Sequence, residues 1–166
     1  MWTRFAIVNA PQTRAALRSQ PLSPETNKND SSWLGTCIQP CMSTRTNIPG
    51  TSPYEPIIGF SRAVRIGRHV HVSGTGPVGC DEADDAAQAD QCLTLIAIAL
   101  KEAGSSIEHV YRTRIYLTSE EDWEAVGRIH GKFFSLIRPA ATLVVVAKLL
   151  DPRWRVEIEA DAYIPE

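Results

Sequence analysis

The residues of this sequence with types and spacing suited to chemistry begin with a pair of arginines. Arg112 and Arg114 alternate with Thr113, so in an extended chain both project from one face, together with Tyr116. A planar guanidinium group binds both oxygens of a carboxylate, which would make Arg114 an anion clamp. Alternatively, the pair neutralises acidic side chains on a neighbouring strand. Both interpretations hold if this face borders a cleft.

A histidine is the second candidate. His130 follows Gly127 by three residues, so on a helix both lie on one face, and the glycine leaves room beside the ring. An imidazole there could bind a substrate or act as an acid or base near neutral pH. The alternative is a histidine packed under Trp123 and Phe134 with its ring nitrogens satisfied. Arg138 could also bind an anion, or it could interact favourably with the helix dipole at a helix C-terminus.

The third group combines a glutamate with a serine. Glu159 lies on a predicted strand whose other face is apolar, so it is expected to be partly buried and paired. It could orient water or shuttle a proton, or it could form a structural ion pair. Ser73 can donate a hydrogen bond at a strand end, where Gly74 and Gly76 allow close backbone approach. This Gly-x-Gly is too short and wrongly placed for a nucleotide-binding loop.

Metal ligation is not predicted. His69 and His71 share one strand face, but no third ligand is evident. Cys37 and Cys41 have no matching histidine or cysteine pair. We therefore expect no metal site.

Composition indicates a folded domain of ordinary type. The chain has 166 residues, of which 43% are hydrophobic and 22% charged. A net charge of −2 argues against a protein that binds nucleic acid by broad phosphate neutralisation. No apolar stretch is long enough for a membrane span or a secretory signal, and four cysteines are too few for a disulfide scaffold. A soluble cytoplasmic protein is expected.

The chain is predicted to divide near residue 50. Residues 1–52 form a disordered extension and residues 53–166 a domain, because residues 19–47 are rich in Ser, Thr, Pro and Asn without hydrophobic periodicity. Met42 could be the true start. Alternatively, the segment is a mitochondrial transit peptide, since three arginines and no acid precede Glu25. A functional tail is the third possibility.

Hydrophobic periodicity then predicts strands and helices in the order ββαβαββ. The helices are expected from Asp84 or Asp85 to Ala103 and from Ser119 onward, with Trp123 on the buried face of the second. The predicted strands cover residues 57–66, 69–73, 110–117, 142–147 and 155–164. This order indicates an α+β domain with two helices on one face of a single mixed sheet.

Four segments together resemble the RidA/YjgF family over about residues 53–165. They are residues 58–64 (IGFSRAV), 72–78 (VSGTGPV), 138–142 (RPAAT) and 156–160 (VEIEA). The resemblance implies a chorismate-mutase-like fold assembled as a homotrimer, with a central barrel and three clefts between subunits. It also implies hydrolysis of reactive enamines and imines, such as 2-aminoacrylate, to a 2-keto acid and ammonia without a cofactor.

The family's site residues are only partly present at the matching positions. Ser73, Gly74 and Glu159 match, whereas the clamp arginine of the family motif falls on Ala141. Three further family residues are replaced: a cleft tyrosine by Phe60, a helix asparagine by Gly127 and a cysteine by Leu143. Because Ala141 offers no charge, efficient deamination of amino-acid-derived imines is not expected.

We therefore predict a RidA-like hydrolase of a different imine, enamine or related reactive metabolite. Ser73 and Glu159 would hold and activate water or substrate, and Arg114 or His130 would replace the clamp. The alternative is a non-catalytic trimer that binds a hydrophobic metabolite or a protein partner, since Phe60 and Ala141 make the cleft less polar. A ribonuclease, a label that the family has carried, is disfavoured by the acidic net charge. No nucleic-acid or membrane partner is expected.

Overall fold

The computed structural model describes residues 44–166 and contains one mixed sheet of six strands. The strands are β1 (Arg45–Ile48), β2 (Ala63–Ile66), β3 (His69–Thr75), β4 (Val110–Leu117), β5 (Ala140–Val145) and β6 (Val156–Tyr163). Their order across the sheet is β1-β2-β3-β6-β4-β5. The β4–β5 pair is parallel and every other pair is antiparallel. The predicted α+β class and mixed sheet are confirmed.

Two helices cover one face of this sheet. Helix α1 (Asp85–Glu102) begins where the Asp84 carboxylate accepts a hydrogen bond from Ala87 N at 2.8 Å, as expected for an N-cap. Its apolar side packs on β3 and β6, and helix α2 (Trp123–Phe134) packs beside it. No helix in the described part of the chain is long and apolar enough to span a bilayer.

Strict alternation along β6 separates the two faces of the sheet. Val156, Ile158, Ala160 and Ala162 are buried beneath the helices. The intervening residues, Glu157 to Tyr163, point to the opposite face, which no helix within residues 44–166 covers. We call this second surface the open face. Period-two patterning therefore places the acidic residues of β6 together on it.

Three local predictions were wrong. Residues 57–62 do not extend β2, because Glu55–Gly59 forms a π-helical turn in which Gly59 has a φ of +82°. Trp123 is 58% exposed, since a 3₁₀ turn at Glu120–Asp122 precedes α2 and rotates its first residue outward. Finally, the sheet begins earlier than predicted: β1 pairs with β2 from within the segment assigned to the extension. Residues 1–43 of that segment, including Met42, lie outside the described residues.

Candidate functional site

The end of β3 is irregular, and this irregularity shapes the first half of the candidate site. The register between β3 and β6 shifts between Val72 and Thr75, as in a β-bulge. Ser73 lies at the shift, and its Oγ donates a hydrogen bond to the carbonyl oxygen of Ser61 at 2.8 Å. The segment of residues 73–75 is therefore held against the turn that precedes β2.

A glutamate lies directly against this segment. A Cβ atom placed on Gly74 would lie 2.1 Å from Glu157 Oε1, so the carboxylate occupies the space of the missing side chain. Burial raises the pKa of the Glu157 carboxyl group, repulsion from Glu159 raises it further, and attraction to Arg62 opposes both. A partly buried carboxyl group with a raised pKa suits proton transfer. Glu157 was not among the residues that the sequence singled out.

Glu159, which was a candidate from the sequence, is hydrogen-bonded to two neighbouring side chains. Its Oε1 accepts hydrogen bonds from Tyr116 Oη at 2.8 Å and from Arg114 Nη1 at 3.2 Å. Arg114 Nη1 also contacts Asp161 Oδ2 at 3.3 Å, and Asp161 Oδ1 lies 2.8 Å from His71 Nδ1. The bond to Glu159 raises the pKa of the Tyr116 hydroxyl. Arg114 thus neutralises β6 carboxylates, as the alternative interpretation predicted.

His130 lies on the other face of the sheet. Its Nε2 and Thr113 Oγ1 are hydrogen-bonded at 2.9 Å, and its ring centroid is 4.5 Å from that of Phe134. Burial lowers the pKa of the imidazole, which favours its neutral form. Thr113 is the register partner of Ala141 on β5, and the space beside Gly127 is open. We therefore group Gly127, His130 and Ala141, which are linked through Thr113 and one face of α2, as a second half-site.

The two remaining candidates are exposed. Phe60 follows the π-helical turn and is partly accessible. Arg138 has a φ of +49°, donates from Nε to the Ser135 carbonyl oxygen at 3.3 Å, and lines a shallow cleft with Tyr111 and Tyr163. Neither residue joins the two half-sites.

Ser73 and Glu157 occupy the open face, whereas His130 lies on the helix-covered face with Thr113. Because the sheet separates these half-sites, a single protomer does not bring them together. In the described range of residues 44–166, no three His, Cys, Asp or Glu side chains are grouped so as to hold a metal ion.

Comparison with known proteins defines the family. Residues 50–164 match the family model described as Endoribonuclease L-PSP. The chain belongs to the YjgF/RidA family. The fold of this member is also that of a solved YjgF/YER057c/UK114 family structure from Mycobacterium tuberculosis, with a TM-score of 0.69 and 45% identity over 73% of this chain and 100% of that one.

Two relatives complete the comparison. An uncharacterized protein of Streptomyces coelicolor is 40% identical over 68% of this chain and 87% of its own length. A 2-iminobutanoate/2-iminopropanoate deaminase of Dermatophagoides farinae is 30% identical over 64% of this chain and 86% of its own length. The resemblance deduced from the four sequence segments and the chorismate-mutase-like fold are thus confirmed.

Proposed function

We propose that this YjgF/RidA member hydrolyses an imine or enamine without a cofactor. The position of Glu157 against the Ser73–Gly74 backbone is the observation that carries the proposal. The deaminase activity named for the Dermatophagoides relative supports the reaction class. In the reaction, the oxygen of water bonds to the imine carbon, the carbon–nitrogen bond breaks, and a carbonyl compound and ammonia leave.

Glu157 has the properties that this reaction needs. Its raised pKa lets a protonated carboxyl group donate to the imine nitrogen and the resulting carboxylate accept a proton from water. An enamine first takes a proton on carbon, and the same group can supply it. Ser73 fixes the backbone beside this carboxyl group through its bond to Ser61. We assign Glu159 the supporting role of repelling Glu157, since Arg114 and Tyr116 already hold it.

The substrate is proposed to lack the carboxylate of amino-acid-derived imines. Ala141 provides no positive charge, and Arg114 is paired with Glu159 and Asp161. The only described side chain with hydrogen-bonding nitrogens in the second half-site is His130, whose lowered pKa favours a neutral ring. A neutral polar group on the substrate fits such a ring better than an anion does.

The working site is proposed to form between copies of the chain in a homotrimer. The two half-sites lie on opposite faces of one sheet, so a second copy is needed to unite them. Strand β5 supports this assembly, because its apolar residues Leu143, Val144 and Val145 are exposed along the sheet edge. An apolar edge strand is typical of a covered surface.

A non-catalytic binding protein is the second candidate. It is favoured by the exposed apolar side chains of Phe60 and Leu143, which suit a hydrophobic ligand. Glu157→Gln separates the two functions, because an enzyme would lose turnover whereas a binder would keep its ligand.

The deciding experiment measures carbonyl release from imines generated in situ, some with a carboxylate and some without. The full chain is compared with Glu157→Gln, Glu159→Gln and Ala141→Arg. We expect turnover of neutral imines, a loss of about 100-fold or more in Glu157→Gln, and a smaller loss in Glu159→Gln. Ala141→Arg should shift preference toward carboxylate-bearing imines. If the folded protein is inactive on every imine tested, the proposed hydrolase activity is rejected.

A further inference from the structure

A single guanidinium group holds the irregular end of β3. Nη2 of Arg62 donates hydrogen bonds to the carbonyl oxygens of Ser73 and Gly74, the latter at 3.2 Å, and to Thr75 Oγ1 at 2.7 Å. Thr75 Oγ1 in turn donates to the Ser73 carbonyl oxygen at 2.9 Å. One cation therefore fixes both carbonyl groups of the segment that packs against Glu157.

The same cation is set among carboxylates. Glu55 and Glu157 both attract it, and this attraction opposes the lowering of the pKa of Arg62 by burial. Glu55 is itself held, because Gly50 N donates to its Oε1 at 2.8 Å. Around Glu157, Glu159 adds a second negative charge. Arg62 is thus the positive charge that opposes Glu159 at this carboxyl group.

Burial of Arg62 leaves one of its hydrogen-bond donors without a partner in the described part of the chain, which destabilises the fold. Its Nε–H is buried and has no hydrogen-bond partner among the described residues. Buried unpaired donors are rare and destabilising, and those that persist call for an explanation. Proximity to the proposed acid–base group provides one, since functional sites keep such arrangements.

We propose that Arg62 is the positioning residue of the site, which aligns residues 73–75 with Glu157 and supplies the positive charge that faces its carboxyl group. This inference rests on the proposed function, because it assigns a role around the proposed acid–base residue. It predicts that removing the charge makes Glu157 harder to ionise.

The test follows the Glu157 carboxyl carbon by NMR as the pH is varied, so it requires no enzyme activity. Arg62→Gln should raise the pKa of Glu157 by roughly half a unit or more, whereas Arg62→Lys should keep it nearer the wild-type value. Arg65→Gln is the matched control, because Arg65 lies three residues further along the chain, on β2, and donates to the Gly67 and Ala103 carbonyl oxygens. An unchanged Glu157 midpoint in folded Arg62→Gln would overturn the proposal.

A second measurement covers the case in which Arg62→Gln does not fold. In the wild-type chain, the Arg62 Nε resonance should show a pH midpoint that disappears in Glu157→Gln and persists in Glu159→Gln. The role of Arg62 would be rejected if its Nε resonance still showed this midpoint in Glu157→Gln, or if it showed no pH midpoint in the wild type. Inactivity toward imines would instead reject the proposed reaction and leave this titration unaffected.

Discussion

The carboxylate of Glu157 occupies the space that a side chain at Gly74 would need, with Oε1 only 2.1 Å from the position of a Cβ atom. Gly74→Ala must therefore displace a flexible side-chain end and leave the backbone in place. We expect the free energy of unfolding to change by about 1 kcal/mol or less, and imine hydrolysis to fall at least tenfold. Urea unfolding and the hydrolysis assay measure the two effects.

Gly131→Ala is the control for this prediction. Gly131 lies on α2, a Cβ atom added there would meet no neighbouring atom within 4 Å outside its own helix backbone, and it belongs to neither half-site. Alanine there should raise the free energy of unfolding by up to about 1 kcal/mol, as expected from helix propensity, with unchanged activity. Equal activity in Gly74→Ala and Gly131→Ala would contradict the importance of the Glu157 position.

Burial of His130 predicts a specific dependence of stability on pH. Its pKa is lowered from the ordinary 6.5, so the unfolded chain takes up a proton at a higher pH than the folded chain. The contribution of His130 to the free energy of unfolding is fully present above about pH 6.5, and it decreases as the pH falls toward the folded-state pKa. Between pH 7.5 and pH 5.5, the free energy of unfolding should therefore decrease more for the wild type than for His130→Gln. An imidazole midpoint above 6.5 by NMR would contradict this explanation.

Asp122 and Arg155 form an ion pair at the start of α2, and removing one partner should destabilise the protein more than removing the other. Arg155 Nε lies 3.0 Å from Asp122 Oδ2, and Nη2 lies 2.5 Å from Oδ1. The Asp122 side chain is only 3% exposed, whereas that of Arg155 is 45% exposed. Arg155→Ala leaves a buried unpaired carboxylate and should cost about 3–5 kcal/mol, whereas Asp122→Asn should cost about 1–2 kcal/mol. Equal losses in urea unfolding would refute the asymmetry.

Assembly through β5 is testable by sedimentation. The wild type should sediment at three times the 18.3 kDa mass of the chain. Val145→Asp places a charge on the β5 edge, where the valine is 52% exposed, and should produce monomers that lack hydrolase activity. Ile98→Asp is the matched control, because Ile98 is 50% exposed on α1, the helix that packs on β3 and β6. A wild-type monomer with full activity would rule out the shared site.

Regular alternation made much of the fold predictable. Both ends of the strand Val110–Leu117 were predicted correctly, because period-two patterning is a local signal. Capping narrowed the start of the first helix to Asp84 or Asp85, and Asp84 is its N-cap. The π-helical turn at Glu55–Gly59 was missed, since its adjacent isoleucines resemble a strand while in fact being exposed.

The candidate site was less predictable for a physical reason. Periodicity assigns Glu157 and Glu159 to the same face but does not reveal which of them lies beside Gly74. That depends on the register shift in β3, a long-range property of two paired strands. Arg62 was missed for the same reason, because its three acceptors lie more than ten residues away along the chain.

The two margins of the sheet differ in chemistry. Strand β1 presents the exposed polar side chains of Arg45, Thr46 and Asn47, whereas β5 presents aliphatic ones. A charged, polar margin discourages pairing with a strand from another molecule. Copies that associate through β5 would therefore not continue the sheet from molecule to molecule at β1. The consequence is self-limiting growth: this chain is expected to resist fibrous aggregation through its sheet edges.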